Sequence, residues 1–367
     1  MTQRTHKLEL VSLPPEILHL IAQHYISDLP LATAAENNTT SVLTTCTLFH
    51  DLFLPKLYSS ICIYSLDQLS RFISPTSGSH RYCPIYTLDS ITINIPGVPG
   101  GGDGTSLFGN PEGSASRSRD RLLLASQALS LCTNVEEVSL EFFSVRHSEI
   151  LTTDEFRLTE ALAFENAVKG LQRSKRFRWA PPRCDANAIM GLSIVIVDQI
   201  IPSLAKGLVG CGKLETLELW NTMLPLTGGA DLADSLIHIS SSRSQSRSLN
   251  LNLRSVTGLD PKTVSSLALA SPPIRVNIAD GFIGSIWGAR IDKNAVEECI
   301  RDTLDPSGSS RNSSLDSSPS SSEALSTATS RATTPELLIQ DTLAKASEMV
   351  NIRVLQGGIA GSRILAH

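Results

Sequence analysis

Residues 213–220, KLETLELW, carry a pattern that admits few folds. Leu214, Leu217 and Leu219 are spaced Leu-x-x-Leu-x-Leu, with Glu218 between the last two. In an extended chain successive side chains point to opposite faces. Leu217 and Leu219 therefore share one face and Glu218 takes the other, which predicts a strand buried on one side only. SLNLNL at 248–253 repeats the arrangement, with Leu249, Leu251 and Leu253 alternating against Asn250 and Asn252.

Working outward, each such strand follows an amphipathic helical stretch. Residues 121–131 precede NVEEVSLEFF, 155–171 precede KRFRWA, and 197–209 precede KLETLELW. Residues 230–239 precede SLNLNL, 262–270 precede IRVNIA, and 336–349 precede NIRVLQGG. An opening strand, LDSITINI, is expected at 88–95. The strands start roughly 25 to 50 residues apart, save one wider gap holding a Ser-rich insertion, which is the range of an α/β repeat. A single helix-strand unit cannot bury its own apolar face, so the units are expected to stack into a curved parallel sheet backed by helices. A doubly wound α/β domain also alternates helix and strand. Its strands are usually Val/Ile-rich and buried on both faces, whereas these carry polar residues at alternate positions.

Composition fits this reading. The chain has 367 residues, 41% of them apolar, and a formal charge of -5. That balance argues against a global nucleic-acid-binding role, which needs a concentrated positive field. Seven cysteines are scattered without a Cys-x-x-Cys pair, so buried free thiols are expected rather than a disulfide framework or a zinc site. The N-terminus shows no signal-peptide core, and the longest uncharged apolar run, 186–197, is too short to span a bilayer. A soluble intracellular protein, cytoplasmic or nuclear, is expected. Residues 96–119 are rich in Gly, Pro and Ser and are expected to form a mobile loop. Residues 304–335 are dominated by Ser and Thr and are expected to be disordered. Ser318-Pro319 and Thr334-Pro335 in that insertion match proline-directed phosphorylation sites, though such pairs arise readily in this composition.

No catalytic constellation emerges, and no metal or cofactor is expected. GLVGCGKL at 207–214 matches a phosphate-binding loop through Gly207, Gly212 and Lys213, but Leu214 stands where Ser or Thr must hold Mg²⁺. It also runs from helix into strand, which presents the wrong end of the helix dipole. Helix-capping and turn roles suit these glycines better. GGGDG at 100–104 lacks the flanking strand and helix of a dinucleotide site. QRSKRFRW at 172–179 gathers Arg173, Lys175, Arg176 and Arg178 around Phe177 and Trp179. As a strand it sets Arg176 and Arg178 on one face, where an exposed guanidinium pair can bind an acidic or phosphorylated peptide. The plainer reading is a solvated basic edge.

At the N-terminus, LPPEILHLIAQHYI opens a helix. Pro14 suits its first position, Glu16 its first turn, and Ile17, Leu20, Ile21 and Tyr25 form an apolar stripe. SVLTTCTLFHDLFLPKLYSSI forms a second helical stretch with Val42, Cys46, Phe49 and Phe53 on one face and Pro55 interrupting it near its end. Together, LPPEIL and SVLTTCTLFHDLFLPKLYSSICI resemble an F-box of the type common in fungal F-box proteins, over roughly residues 9–63. The units behind it resemble degenerate leucine-rich repeats.

That resemblance implies a three-helix module binding the Skp-type adaptor of a cullin-based ubiquitin ligase, with the repeats recruiting a protein substrate. The positions matching the family's opening are Leu13, Pro14, Glu16, Ile17 and Leu20. Val42, Leu43, Cys46, Phe49 and Leu52 match its second apolar stretch. The expected fold is α/β: an F-box-like helical module at 9–63, then an irregular leucine-rich-repeat-like solenoid at 85–303, completed by a helix-strand unit at 336–367. Two alternatives remain: a helical cap on a repeat scaffold with no ubiquitin role, and a nucleotide-using enzyme built around Lys213.

Overall fold

The computed structural model describes residues 13–27, 44, 46–74, 88–95, 111–142, 159–180, 200–225, 227, 229–243, 248–284, 288–305 and 335–354. The helical hairpin α1 (Pro15–Ser27) and α2 (Thr47–Leu57) leads into β1 (Ser60–Ile63) and α3 (Leu66–Ile73). Alternation follows through β2 (Ser90–Ile95), α4 (Pro111–Leu131), β3 (Glu137–Phe142), α5 (Glu160–Lys169), β4 (Arg176–Ala180) and α6 (Ile201–Leu208). Then come β5 (Thr216–Trp220), α7 (Ala230–Ser241), β6 (Asn250–Thr257), α8 (Pro261–Leu269) and β7 (Arg275–Phe282). Two helices, α9 (Lys293–Leu304) and α10 (Pro335–Glu348), precede the last strand, β8 (Val350–Arg353).

The eight strands form one parallel sheet in chain order, β1 to β8. This order separates the two candidate architectures. A doubly wound sheet reverses direction at a switch point, and this one does not. The helices also stack in chain order, from α3 on α4 to α9 on α10. Each unit thus packs mainly on its neighbours, the arrangement of a solenoid.

Register places the alternating residues in rows across the sheet. Ile91, Val138, Phe177, Leu217, Leu251 and Val276 form one inward row. Ile93, Leu140, Trp179, Leu219, Leu253 and Ile278 form the next. All are buried in a single core shared with the helices. Burying a side chain of this size is worth about 1.5–3 kcal/mol, so these two rows dominate the cohesion between units.

The turns from helix to strand are built alike in three successive units. They read Cys132-Thr-Asn-Val135, Leu171-Gln-Arg-Ser174 and Cys211-Gly-Lys-Leu214. In each, the fourth residue's N–H donates to the first residue's carbonyl, at 3.2, 3.1 and 3.0 Å. The next two N–H groups then share one carbonyl of the preceding unit: Asp89, Glu136 and Lys175 in turn. The first and fourth side chains are fully buried every time. Orphan donors at the turn are thereby satisfied by the neighbouring unit, which fixes the spacing of the stack.

Gly207 and Gly210 serve this stacking rather than a left-handed cap. A Cβ on Gly207 falls 2.8 Å from both the Glu165 carbonyl oxygen and the Val168 Cβ, and one on Gly210 falls 2.5 Å from the Lys169 carbonyl oxygen. Gly212 has nothing within 4 Å of its would-be Cβ. Gly210→Ala is expected to destabilise the fold by about 1–3 kcal/mol, because backbone must shift to admit the methyl. Gly212→Ala should stay within roughly 0.5 kcal/mol of the parent. Urea unfolding of the two variants compares them directly.

The structure departs from the sequence reading at several boundaries. β1 pairs with β2, so residues 60–63 form the sheet's first strand as well as the end of the N-terminal segment, and 88–95 is not the opening strand. α4 begins at Pro111, inside the stretch 96–119 expected as a mobile loop. Pro55 lies within α2 without interrupting it: the helix runs on to Leu57, and the Tyr58 N–H reaches the Leu54 carbonyl. α3 and α9 were not expected. Residues 96–110 and 306–334, with Ser318 and Thr334, lie outside the described residues.

Candidate docking surfaces

α1 and α2 pack against each other. Pro15 occupies the first helical position, and Pro14 precedes it, accepting from the Ile17 and Leu18 N–H groups at 3.0 and 3.2 Å. The helix turns Leu18 and Ala22 inward, one turn apart, and both are buried. Their neighbours form the opposite stripe: Ile17 is 42% exposed, Leu20 61% and Ile21 41%. On α2, Phe53 is buried with Phe49 edge-on to it at 5.7 Å, and Leu48 is exposed.

Of the residues predicted for adaptor binding, Pro14, Glu16, Ile17, Leu20 and Cys46 are exposed, and Leu13, Phe49 and Leu52 are half-buried. Cys46 stands before α2 as its N-cap residue rather than within a helix. Val42 and Leu43 lie outside the described residues. The structure brings Ile17, Leu20 and Ile21 together as a solvent-facing apolar stripe on α1.

The second surface is the face of the sheet opposite the core. Row by row it carries Glu137, Arg176, Thr216, Asn250 and Arg275, then Ser139, Arg178, Glu218, Asn252, Asn277 and Asn351. Arg176 and Arg178 do share this face, with Phe177 and Trp179 in the core. They are not an exposed pair. Arg178 is buried, 3.4 Å from Glu141 and 3.9 Å from Glu218, with its guanidinium 4.3 Å from the centre of the Trp220 ring. Arg176 is exposed but lies 3.5 Å from Glu137 and 4.0 Å from Glu218. The sequence reading missed these carboxylates because they sit on neighbouring strands, about forty residues away.

At the C-terminal end of this face, three residues in or just past adjoining strands take the left-handed conformation: Asn221 (φ 50°), Ser255 (φ 52°) and Asp280 (φ 58°). They directly follow Trp220, Arg254 and Ala279, which are aligned across β5, β6 and β7. Asn and Asp tolerate this region better than most residues. Strict alternation ends there: Val256 and Thr257 are both buried. Beside this bend lies a cavity of about 380 Å³ whose lining includes Glu218, Trp220, Asn252, Arg254, Asn277 and Arg353.

Little supports chemistry elsewhere. Lys213 is exposed in the turn from α6 into β5, at the wrong helix end for a phosphate. Among the described residues no group of three His, Cys, Asp or Glu side chains could hold a metal ion. The buried Cys211 thiol donates to the Val168 carbonyl at 3.2 Å, and desolvation pushes its pKa up to about 12. Cys132 is buried, Cys62 and Cys299 half-buried and Cys46 exposed, and each is a thiol outside any disulfide. Cys83 and Cys184 lie outside the described residues. No described helix is long and apolar enough to cross a membrane. No protein-family model matches the chain, and no curated protein matches it either.

Proposed function

We propose that the chain is a substrate-recognition subunit of a cullin-based ubiquitin ligase, docking a Skp-type adaptor through α1 and α2 and holding a protein substrate on the repeats. The observation that carries this reading is the partly exposed stripe of Ile17, Leu20 and Ile21 on α1, with Leu48 exposed on the packed helix α2. α1 already has an inward stripe, Leu18 and Ala22, for its own packing. A second apolar stripe left partly exposed on the same short helix suits a partner's apolar groove. The motif resemblance of LPPEIL and FLPKLY supplies the identity of that partner.

In this role the chain contributes no catalytic residue. It works by tethering, which raises the effective concentration of substrate lysines near the charged ubiquitin carrier. Adaptor pull-down with intact protein tests the reading. Ile17→Asp and Leu20→Asp should each weaken binding by about tenfold or more, from the loss of apolar burial in the complex. Leu20, 61% exposed, should leave thermal unfolding nearly unchanged when replaced, whereas Ile17, 42% exposed, should lower it somewhat. An intact chain that fails to bind the adaptor leaves a repeat scaffold with no ubiquitin role.

A further inference from the structure

The two edges of the sheet differ. At β1 the Ser60 hydroxyl accepts from the Ser90 hydroxyl at 2.7 Å, and the Tyr64 N–H, just past the strand, donates to the Gln68 side chain at 2.8 Å. At β8 the ladder to β7 fixes which groups are left over. The Val276 N–H donates to the Met349 carbonyl at 2.8 Å, and Val276 is aligned with Val350. Bonding direction alternates along a strand. Met349, Asn351 and Arg353 therefore bond toward β7, while Val350 and Ile352 point their N–H and C=O groups away from it. No described strand lies beyond them, and among the described residues no hydrogen bond is made to those groups.

Side chains around this edge are open as well. Val350 and Ile352 extend the two inward rows past Val276 and Ile278. Ile352 is only half-buried, although every interior member of its row is buried. In the same last unit Leu337, Leu338 and Val354 are 57%, 57% and 55% exposed. Terminal repeats of a solenoid need a polar outer face, and this one is apolar. On the face away from the helices Asn351 and Arg353 are exposed. Among the described residues neither side chain has a hydrogen-bond or ion-pair partner.

We infer that the β8 edge takes an extended segment of the protein substrate as a ninth strand. The segment's backbone bonds the outward groups of Val350 and Ile352, as in other cases of strand addition. Its side chains then alternate between the two faces. Those on the helix side continue the Val350 and Ile352 rows and are apolar. Those on the other face meet Asn351 and Arg353, so the one beside Arg353 is acidic. The expected motif is two apolar residues two positions apart, with Asp or Glu directly flanking the one that meets Ile352. Open backbone groups alone would accept any strand; Arg353 and Ile352 give this edge its preference. The inference rests on the proposed receptor role, since it names where and in what form the substrate is held.

The test is selection from a random peptide library on immobilised full-length protein, followed by anisotropy measurements on the enriched peptides. Enriched sequences should carry the alternating apolar pattern with its acid. N-methylation at alternate peptide positions should weaken binding by about tenfold or more, and at the intervening positions by less than about twofold, because only one set of N–H groups faces β8. Arg353→Glu should reverse the preference, favouring peptides with Lys in place of the acid. Ile352→Pro removes an outward N–H while sparing the bonds to β7, and should weaken binding by about tenfold or more. The N-methyl scan needs no change to the protein, so its result stands even if that variant folds poorly. Failure to enrich any peptide, a scan without alternation, or binding indifferent to Arg353→Glu overturns the inference. Self-association of the free protein that Ile352→Pro abolishes also overturns it and assigns the edge to a second copy. So does binding seen only after removal of residues 355–367, which assigns the edge to the chain itself. Leu20→Asp should leave peptide binding intact and Arg353→Glu should leave adaptor binding intact, so the two readings fail separately.

Discussion

Arg178→Ala is expected to destabilise the protein by about 3–5 kcal/mol, the usual cost of stranding a buried charge. Arg178 and Glu141 are almost sealed from solvent, with side chains 10% and 4% exposed. Removing the guanidinium takes a cation from beside Glu141, which also accepts from the Asn94 amide at 3.0 Å and the Ser139 hydroxyl at 3.3 Å. Those bonds hold the carboxylate in place without balancing its charge. Glu218 keeps a guanidinium, Arg176, 4.0 Å away, and its 18% exposure lets water screen it. The penalty therefore concentrates at Glu141.

This mechanism makes a second outcome obligatory. Adding Glu141→Gln to Arg178→Met removes both charges while keeping volume and the Asn94 contact, so the double variant should recover most of the loss. Urea midpoints of wild type, both single variants and the double variant give the coupling. A double variant no more stable than Arg178→Met alone would show that packing under Trp220, not charge, sets the cost.

Those energetics mark the boundary of what the sequence discloses. Alternation in KLETLELW and SLNLNL was enough to place Leu217, Leu219, Leu251 and Leu253 in the core and Glu218 and Asn252 on the opposite face, because that rule is local. The burial of Arg178 depends on Glu141 and Glu218, contributed by the strands on either side, and no local pattern reports a neighbour's side chain. Other omissions had readable signals. Asp292 caps α9 by accepting from the Ala295 N–H at 2.7 Å, and Val296 and Ile300 follow one turn apart on its buried side. The recurring buried pair in Cys132/Val135, Leu171/Ser174 and Cys211/Leu214 would have aligned three units, had spacing been compared instead of residue type. The alignment of arginines on one face of the last three strands was legible only in pieces. Arg254, Arg275 and Arg353 belong to three separate strands, and topology alone brings them together.

Trp179→Ala should match Arg178→Ala in size, at about 3–5 kcal/mol, by a different route. Trp179 is fully buried at the middle of the inward row, between Leu140 and Leu219. Its ring meets Phe164 of α5 edge-on, at 5.4 Å and 68°, a contact worth about 0.5–1.5 kcal/mol beyond area burial. Deleting it opens a cavity at the joint between β3 and β5, which the flanking strands cannot close without losing register. Position then matters as much as size. In a stack where units touch mainly their neighbours, coupling between the two ends runs through the centre. The variant should therefore unfold with a lower denaturant dependence as well as a lower midpoint, since the halves no longer unfold as one. Phe substitution at 179 should retain much of the stability and restore the steep transition. A full-height cooperative transition for Trp179→Ala, shifted only in midpoint, would place the coupling elsewhere, along the helix row.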